Sequence, residues 1–275
     1  MEEHTSPEST NVAPAPVATA TRVSRSNLAI PGAIVIAAAL IAGAIFMSGT
    51  KNTAPVNVQG GIDGAQNNQV TGEPVVAPVT KDDHIRGNPN APIVIIEYSD
   101  YDCPFCRVFH DTMAKVMSKY GKDGKVAWVY RHFPLVQLHP DAPKMAIASE
   151  CVTELEGNEA FWVFTDKLNE SRKMEFTPEG NLKSVEPTNI TRLTEFAVAA
   201  GADKTKFELC LNSGKYDEKI AADVEAAAKT GARGTPYSIV MVGEQQGVIN
   251  GAQPFEVVDK IIANLITQLG GATAQ

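Results

Sequence analysis

The chain has 275 residues, 44% of them hydrophobic and 20% charged, with a formal net charge of −8. That is enough apolar material for one sizeable core, or a core with an insertion, and the acidic balance excludes a nucleic-acid surface, which needs clustered Lys and Arg. Four cysteines are too few for a disulfide scaffold but enough for one catalytic and one structural pair in an oxidising compartment.

Residues 1–27 are rich in Ser, Thr, Pro and Ala and read as a disordered cytoplasmic tail with little to bury. Leu28 to Gly49 holds no charged residue and is long enough for a transmembrane helix, with Pro31 in its first turn, where proline is tolerated. A cleaved signal peptide is the rival reading, but the leading region is long, carries Glu2, Glu3 and Glu8, and shows no clear small-residue cleavage site. Arg22 and Arg25 precede the span and only Lys51 follows closely, which orients the rest of the chain outside the cytosol. Residues 50–82 lack aromatics and amphipathic period and read as a flexible linker.

Folded structure is expected to begin near "GNPNAPIVIIEY", where Ile93 to Ile96 form an apolar run suited to a central strand covered on both faces. After Cys103 the period changes: Phe109, Met113, Val116, Met117 and Tyr120 recur at helical spacing, and Gly121 closes the element. Lys125 to Phe133 is a second strand, rich in β-branched and aromatic residues. From Asp141 to about Gly231 the chain reads as helical segments with little strand signal, several closed by glycine. "YSIVMV", "GEQQG" and "VIN" suggest a β-hairpin, and Phe255, Val258, Ile261, Ile262 and Leu265 mark one face of a last helix that starts with Pro254. The layout is an α/β core interrupted by a helical insert.

"CPFC", Cys103 to Cys106, opens the first helix. A thiol attacks a disulfide as its thiolate, so a catalytic cysteine needs a lowered pKa and solvent access. The free N–H groups and positive dipole end of a helix start supply the first. Cys103 is therefore the expected attacking thiol, and Cys106, on the arc of Phe109 and Met113, the more buried resolving one. A stabilised thiolate makes the disulfide form a better oxidant; Phe105 adds no cation, so a milder oxidant is expected than with a basic residue there. The alternative is a metal-binding module (a metallochaperone), since Cys103, Cys106 and His110 share one helical arc as C-x2-C-x3-H; no fourth ligand is evident for a structural zinc, His132 and His139 being unforced.

Taken together, "APIVIIEYSDYDCPFCRVFH", "VYRHFPL", "GTP" before a strand and "INGAQPFEVV" resemble the DsbA-type branch of the thioredoxin superfamily, disulfide oxidoreductases of the cell envelope. The resemblance covers residues 83–270 and implies a thioredoxin-like core, 83–138 and 232–270, with a helical insert, 139–231. It implies Cys103 as nucleophile with Cys106 as its redox-active partner, and a cis Pro236 facing them, the alternative being an ordinary trans turn. It also implies that Thr235 offers main-chain hydrogen bonds to substrate. Glu97 falls where the family often has an acid under the site; buried, its pKa would rise and it could relay a proton to Cys106, whereas at a strand end facing solvent it would do neither. Pro-Phe stands where the best-known oxidase has Pro-His, which leaves the physiological direction open.

Cys151 and Cys210 lie in the insert without CxxC partners, and mutual pairing as a structural disulfide is the economical reading; buried free thiols, or an exchange relay with Cys103, are the alternatives. The sequence thus points to a membrane-tethered protein disulfide oxidoreductase outside the cytosol, acting on reduced or misoxidised client proteins and recycled by a membrane redox partner. No cofactor is needed. Reductase or isomerase action is the alternative within that class.

Overall fold

The computed structural model describes residues 76–178 and 182–272. The expected tail 1–27, the membrane span 28–49 and the linker as far as residue 75 lie outside the described residues. Among the described residues no helix is long and apolar enough to cross a membrane.

A five-stranded sheet carries the site. Its strands in chain order are β1 (His84–Gly87), β2 (Ile93–Ser99), β3 (Val126–His132), β6 (Tyr237–Val242) and β7 (Gln245–Asn250). In space they run β1-β3-β2-β6-β7. β2 is parallel to β3 and antiparallel to β6, and the two outer pairs are antiparallel. The apolar run of β2 follows from its central place, because side chains alternate between two covered faces. On one face Ile93 and Ile95 join Trp128, Val240, Phe109 and Met113 of α1 (Pro104–Val116), and Val258, Ile262 and Leu265 of α6 (Phe255–Ala272). On the other, Ile96, Tyr98, Val129 and Ile239 pack with Ala227 of α5 (Asp217–Lys229).

The insert holds α2 (Ala142–Glu170), α3 (Leu193–Ala199), α4 (Lys204–Leu211) and α5. Glycine does interrupt α2: Gly157 has φ 81° and splits it into two helical stretches, a conformation other residues adopt only with strain. Cys151 of α2 and Cys210 of α4 are joined by a disulfide, Cα–Cα 5.8 Å.

Three findings differ from the expectations. The insert also contains strands, β4 (Met174–Phe176) paired antiparallel to β5 (Leu182–Val185); three and four partly exposed residues are too short to show a period of two. β1 reads "HIRG", without apolar alternation, and becomes a strand through the exposed edge of β3. Finally, residues 76–79 of the expected flexible linker are docked. Val76 and Val79 pack against the second face, and Arg131 donates to the carbonyls of Ala77 and Pro78 at 2.9 and 3.0 Å.

Candidate active site

β2 ends at Ser99, and a short turn, closed by the Cys103 N–H on the Asp100 carbonyl at 3.1 Å, delivers Cys103 as the N-cap of α1. Pro104 occupies the first helical turn, where no N–H is required. Cys103 and Cys106 are unbonded thiols, each only 4% exposed. The first sulfur is thus more covered than a freely accessible nucleophile would be: it lies against the loop before β6, with Sγ 3.4 Å from the Thr235 carbonyl oxygen. The Thr235–Pro236 peptide bond is cis.

The two thiols differ sharply in acidity. The Cys106 side chain, then the Thr235 side chain and the backbone N–H groups of Cys106 and Phe105, hold Cys103 down at about 6 despite burial. Burial pushes Cys106 well up, and the neighbouring Cys103 and Glu97 push it further. The Asp100 N–H also points at Cys106 Sγ, 3.4 Å away.

Glu97 is 1% exposed, so its side chain is inside and not at a solvent-facing strand end. Burial raises its pKa to about 7, against opposing contributions from Ser99 and Trp128. The Trp128 indole N–H donates to Glu97 Oε2 at 2.9 Å. Tyr130 and Ser238 sit opposite Glu97 on the neighbouring strands, and the hydroxyls of both are buried without a hydrogen-bond partner. Ser99 lowers the pKa of both Glu97 and Cys106.

Sequence reasoning missed the residues that brace this turn. Asp100 Oδ2 accepts from the Leu135 N–H and lies 2.8 Å from His139 Nδ1, while Oδ1 accepts from the Asp102 N–H at 2.7 Å. Asp102 Oδ1 accepts from the Thr188 hydroxyl at 2.9 Å and lies 3.3 Å from Arg172 Nη2. Arg172, at the end of α2, is buried, with Nη1 unpartnered, and its guanidinium feels the charge of Asp102, Cys103 and Asp100. Only the acidic letters of "DYDC" could have hinted at this; Arg172 is 69 positions beyond Cys103. Phe105, Val136 and Leu138 are exposed large apolar side chains, the last two on the loop held by Asp100.

The metal-ligand arc does not form. His110 Nε2 lies 2.8 Å from Asp166 Oδ1 instead of joining the cysteines, because the α1 face that carries it packs toward α2. Among the described residues, the group with metal-ligand composition is His84, His132 and Glu150, and there the Lys219 ammonium already sits 2.8 Å from Glu150 Oε1. Both histidines approach that same oxygen, at 2.8 and 3.1 Å. This is a carboxylate satisfied by three donors, and the cation it holds is a lysine.

Comparison with known proteins agrees with this architecture. A family model described as "Thioredoxin" matches residues 79–264. A Na(+)/H(+) antiporter NhaA 1 of Mycolicibacterium gilvum is 34% identical over 160 residues, 58% of this chain. The chain spans only 23% of that antiporter's length, so its transport activity belongs to a much larger protein. A probable disulfide bond formation protein D of Bacillus cereus is 26% identical over 154 residues, 54% of this chain and 66% of that protein. The crystal structure of oxidised BdbD from Bacillus subtilis superposes with a TM-score of 0.57 at 22% identity, over 71% of this chain and all of that one, 100%, a likeness of fold. Since the family model runs from before β1 into α6 and takes in the whole sheet, the chain belongs to the thioredoxin family, with the DsbA-like form of that fold in which helices are inserted into the core.

Proposed function

We propose that the protein is a thiol-disulfide oxidoreductase that forms or exchanges disulfides in client proteins, with Cys103 as nucleophile and Cys106 as resolving thiol. One observation carries this: two thiols one helical turn apart, the first held near a pKa of 6 and the second pushed up by burial. Near neutral pH the first is a thiolate and the second keeps its proton, as stepwise exchange requires. In the oxidising direction a client thiolate attacks Sγ of Cys103, the Cys103–Cys106 bond breaks, and Cys106 leaves with the electron pair and takes up a proton. A second client thiolate then attacks its own chain's sulfur in the mixed disulfide and releases Cys103 as a thiolate. The client is oxidised by two electrons and the pair is reduced.

Glu97, poised at about 7, suits the role of proton donor and acceptor for Cys106. Thr235, its carbonyl beside Cys103 Sγ, and the cis Pro236 would face an extended client segment. Phe105, Val136 and Leu138 offer it apolar contact. The uncharged stretch Leu28 to Gly49 supports a single-pass membrane tether with this domain outside the cytosol, and a membrane redox partner that recycles the pair.

The test is oxidative refolding of a reduced client, with the reduction potential of the Cys103/Cys106 couple measured in parallel. Cys103→Ser should abolish exchange, and the potential fixes whether oxidation or reduction is favoured. Full exchange activity in Cys103→Ser would end this reading.

A further inference from the structure

A resolving thiol buried as deeply as Cys106 has to exchange its proton with something. Glu97 is the acid beneath the site, yet a gap separates the two. Glu97 and Ser99 are alternate residues of β2 and so face the same side of the sheet, spaced about 6.8 Å along the strand. Cys106 Sγ lies at the Ser99 end of that row, 3.4 Å from the N–H of the next residue, Asp100. The other end is pinned, because the Trp128 indole holds Glu97 Oε2 at 2.9 Å. The cross-strand neighbours Tyr130 and Ser238 leave their hydroxyls unpartnered, so neither takes up the carboxyl. Ser99, 3% exposed, lies between them in this row, and its side chain lowers the pKa of both the acid and the sulfur.

We propose that Ser99 is the proton relay between Cys106 and Glu97. A hydroxyl suits the task because it donates and accepts at once. When a mixed disulfide on Cys103 is resolved, the Cys106 S–H proton passes to Ser99 Oγ while the Ser99 proton passes to the Glu97 carboxylate. The Cys106 thiolate attacks Sγ of Cys103, the bond from Cys103 to the substrate sulfur breaks, and the substrate leaves as a thiolate with the electron pair. The cysteine pair is oxidised and the substrate disulfide reduced by the same two electrons. In the oxidising direction each transfer runs backwards, and Glu97 returns the proton through Ser99 to the departing Cys106. Burial and the weak intrinsic acidity of Cys106 make this transfer the step most sensitive to loss of the hydroxyl.

The relay rests on the exchange reading above, and the test separates the two. Reduced full-chain protein is mixed with oxidised glutathione, the reaction is quenched with acid at intervals, and the Cys103–glutathione mixed disulfide is followed by mass spectrometry. Ser99→Ala should lengthen the life of that intermediate by about tenfold or more near pH 7, and Ser99→Thr, which keeps the hydroxyl, should restore most of the rate. In wild-type protein the resolution rate in mixed light and heavy water should follow a curved proton inventory, the sign of two protons in flight. Resolution by Ser99→Ala within about twofold of wild type, or a linear inventory, overturns the relay. If wild-type protein forms no mixed disulfide with glutathione at all, the exchange reading itself fails, and the relay with it.

Discussion

Glu97 and Glu150, two of the buried carboxylates among the described residues, behave oppositely. Glu97 is pushed up to about 7, whereas Glu150 is held far below the usual carboxylate range. Burial acts in the same sense on both, favouring the neutral acid. What differs is the company. Glu150 is surrounded by donors: His84, His132 and the Lys219 ammonium all meet its Oε1 within 3.1 Å. Glu97 has the Trp128 indole as its hydrogen-bond donor within 3 Å, while the nearest hydroxyls on the flanking strands go unpartnered. A fully satisfied carboxylate holds elements together, and an under-satisfied one is free to trade a proton. The first joins β1 and β3 of the core to α2 and α5 of the insert; the second sits beneath the cysteine pair.

The largest effects of substitution fall on the structural carboxylate and its neighbouring disulfide. Cys151 follows Glu150 and clamps α2 to α4 across a separation of 59 residues, so Cys151→Ser with Cys210→Ser should cost about 4 kcal/mol, read as a lower urea midpoint. Glu150→Gln should cost about 3 kcal/mol by leaving a buried, multiply bonded centre uncompensated, in the same assay; a loss below half a kcal/mol would mean the cluster is not structural. Glu97→Gln should cost little stability and instead slow resolution of a Cys103 mixed disulfide by about a hundredfold, roughly 2.7 kcal/mol of barrier.

The pH dependence of folding gives these two acids opposite signs. Glu97, whose folded pKa lies above the ordinary 4.5, contributes stability fully below pH 4.5 and loses it as pH rises to about 7. Glu150, held below its ordinary value, contributes above pH 4.5 and loses it as pH falls. Urea unfolding between pH 4.5 and 8 should therefore show wild-type protein losing stability relative to Glu97→Gln on the way up. The smallest effect falls on Arg172: replacement by Met should raise the Cys103 pKa by up to about one unit, or tenfold in acidity, since a buried cation and a thiolate that feel each other stabilise each other. Thiolate absorbance at 240 nm reads it; a wild-type midpoint near 6 and an unmoved midpoint in Arg172→Met would leave Arg172 without influence.

Much of the core was legible because its signals are local. The apolar run before "CPFC", the change to helical spacing after it, the hairpin letters near 237–250 and the amphipathic last helix each report burial of a single element. The spacing of two cysteines at a helix start likewise fixes their relation to one set of backbone N–H groups. β1 and the β4–β5 pair were not legible, because a short polar strand exists only through its partner. Nor was Arg172, which α2 carries back to a turn 69 residues earlier in the chain.

The sequence by itself determined which sulfur starts a helix and which lies a turn inside it, since that depends on neighbours within a few positions. Only the tertiary structure decided how acidic each sulfur is and where its proton can go. A pKa is set by the groups that converge in space and by the water they exclude: Thr235 from a loop 132 residues away, and Glu97, Ser99, Tyr130 and Ser238 brought to one face of a sheet by strand register.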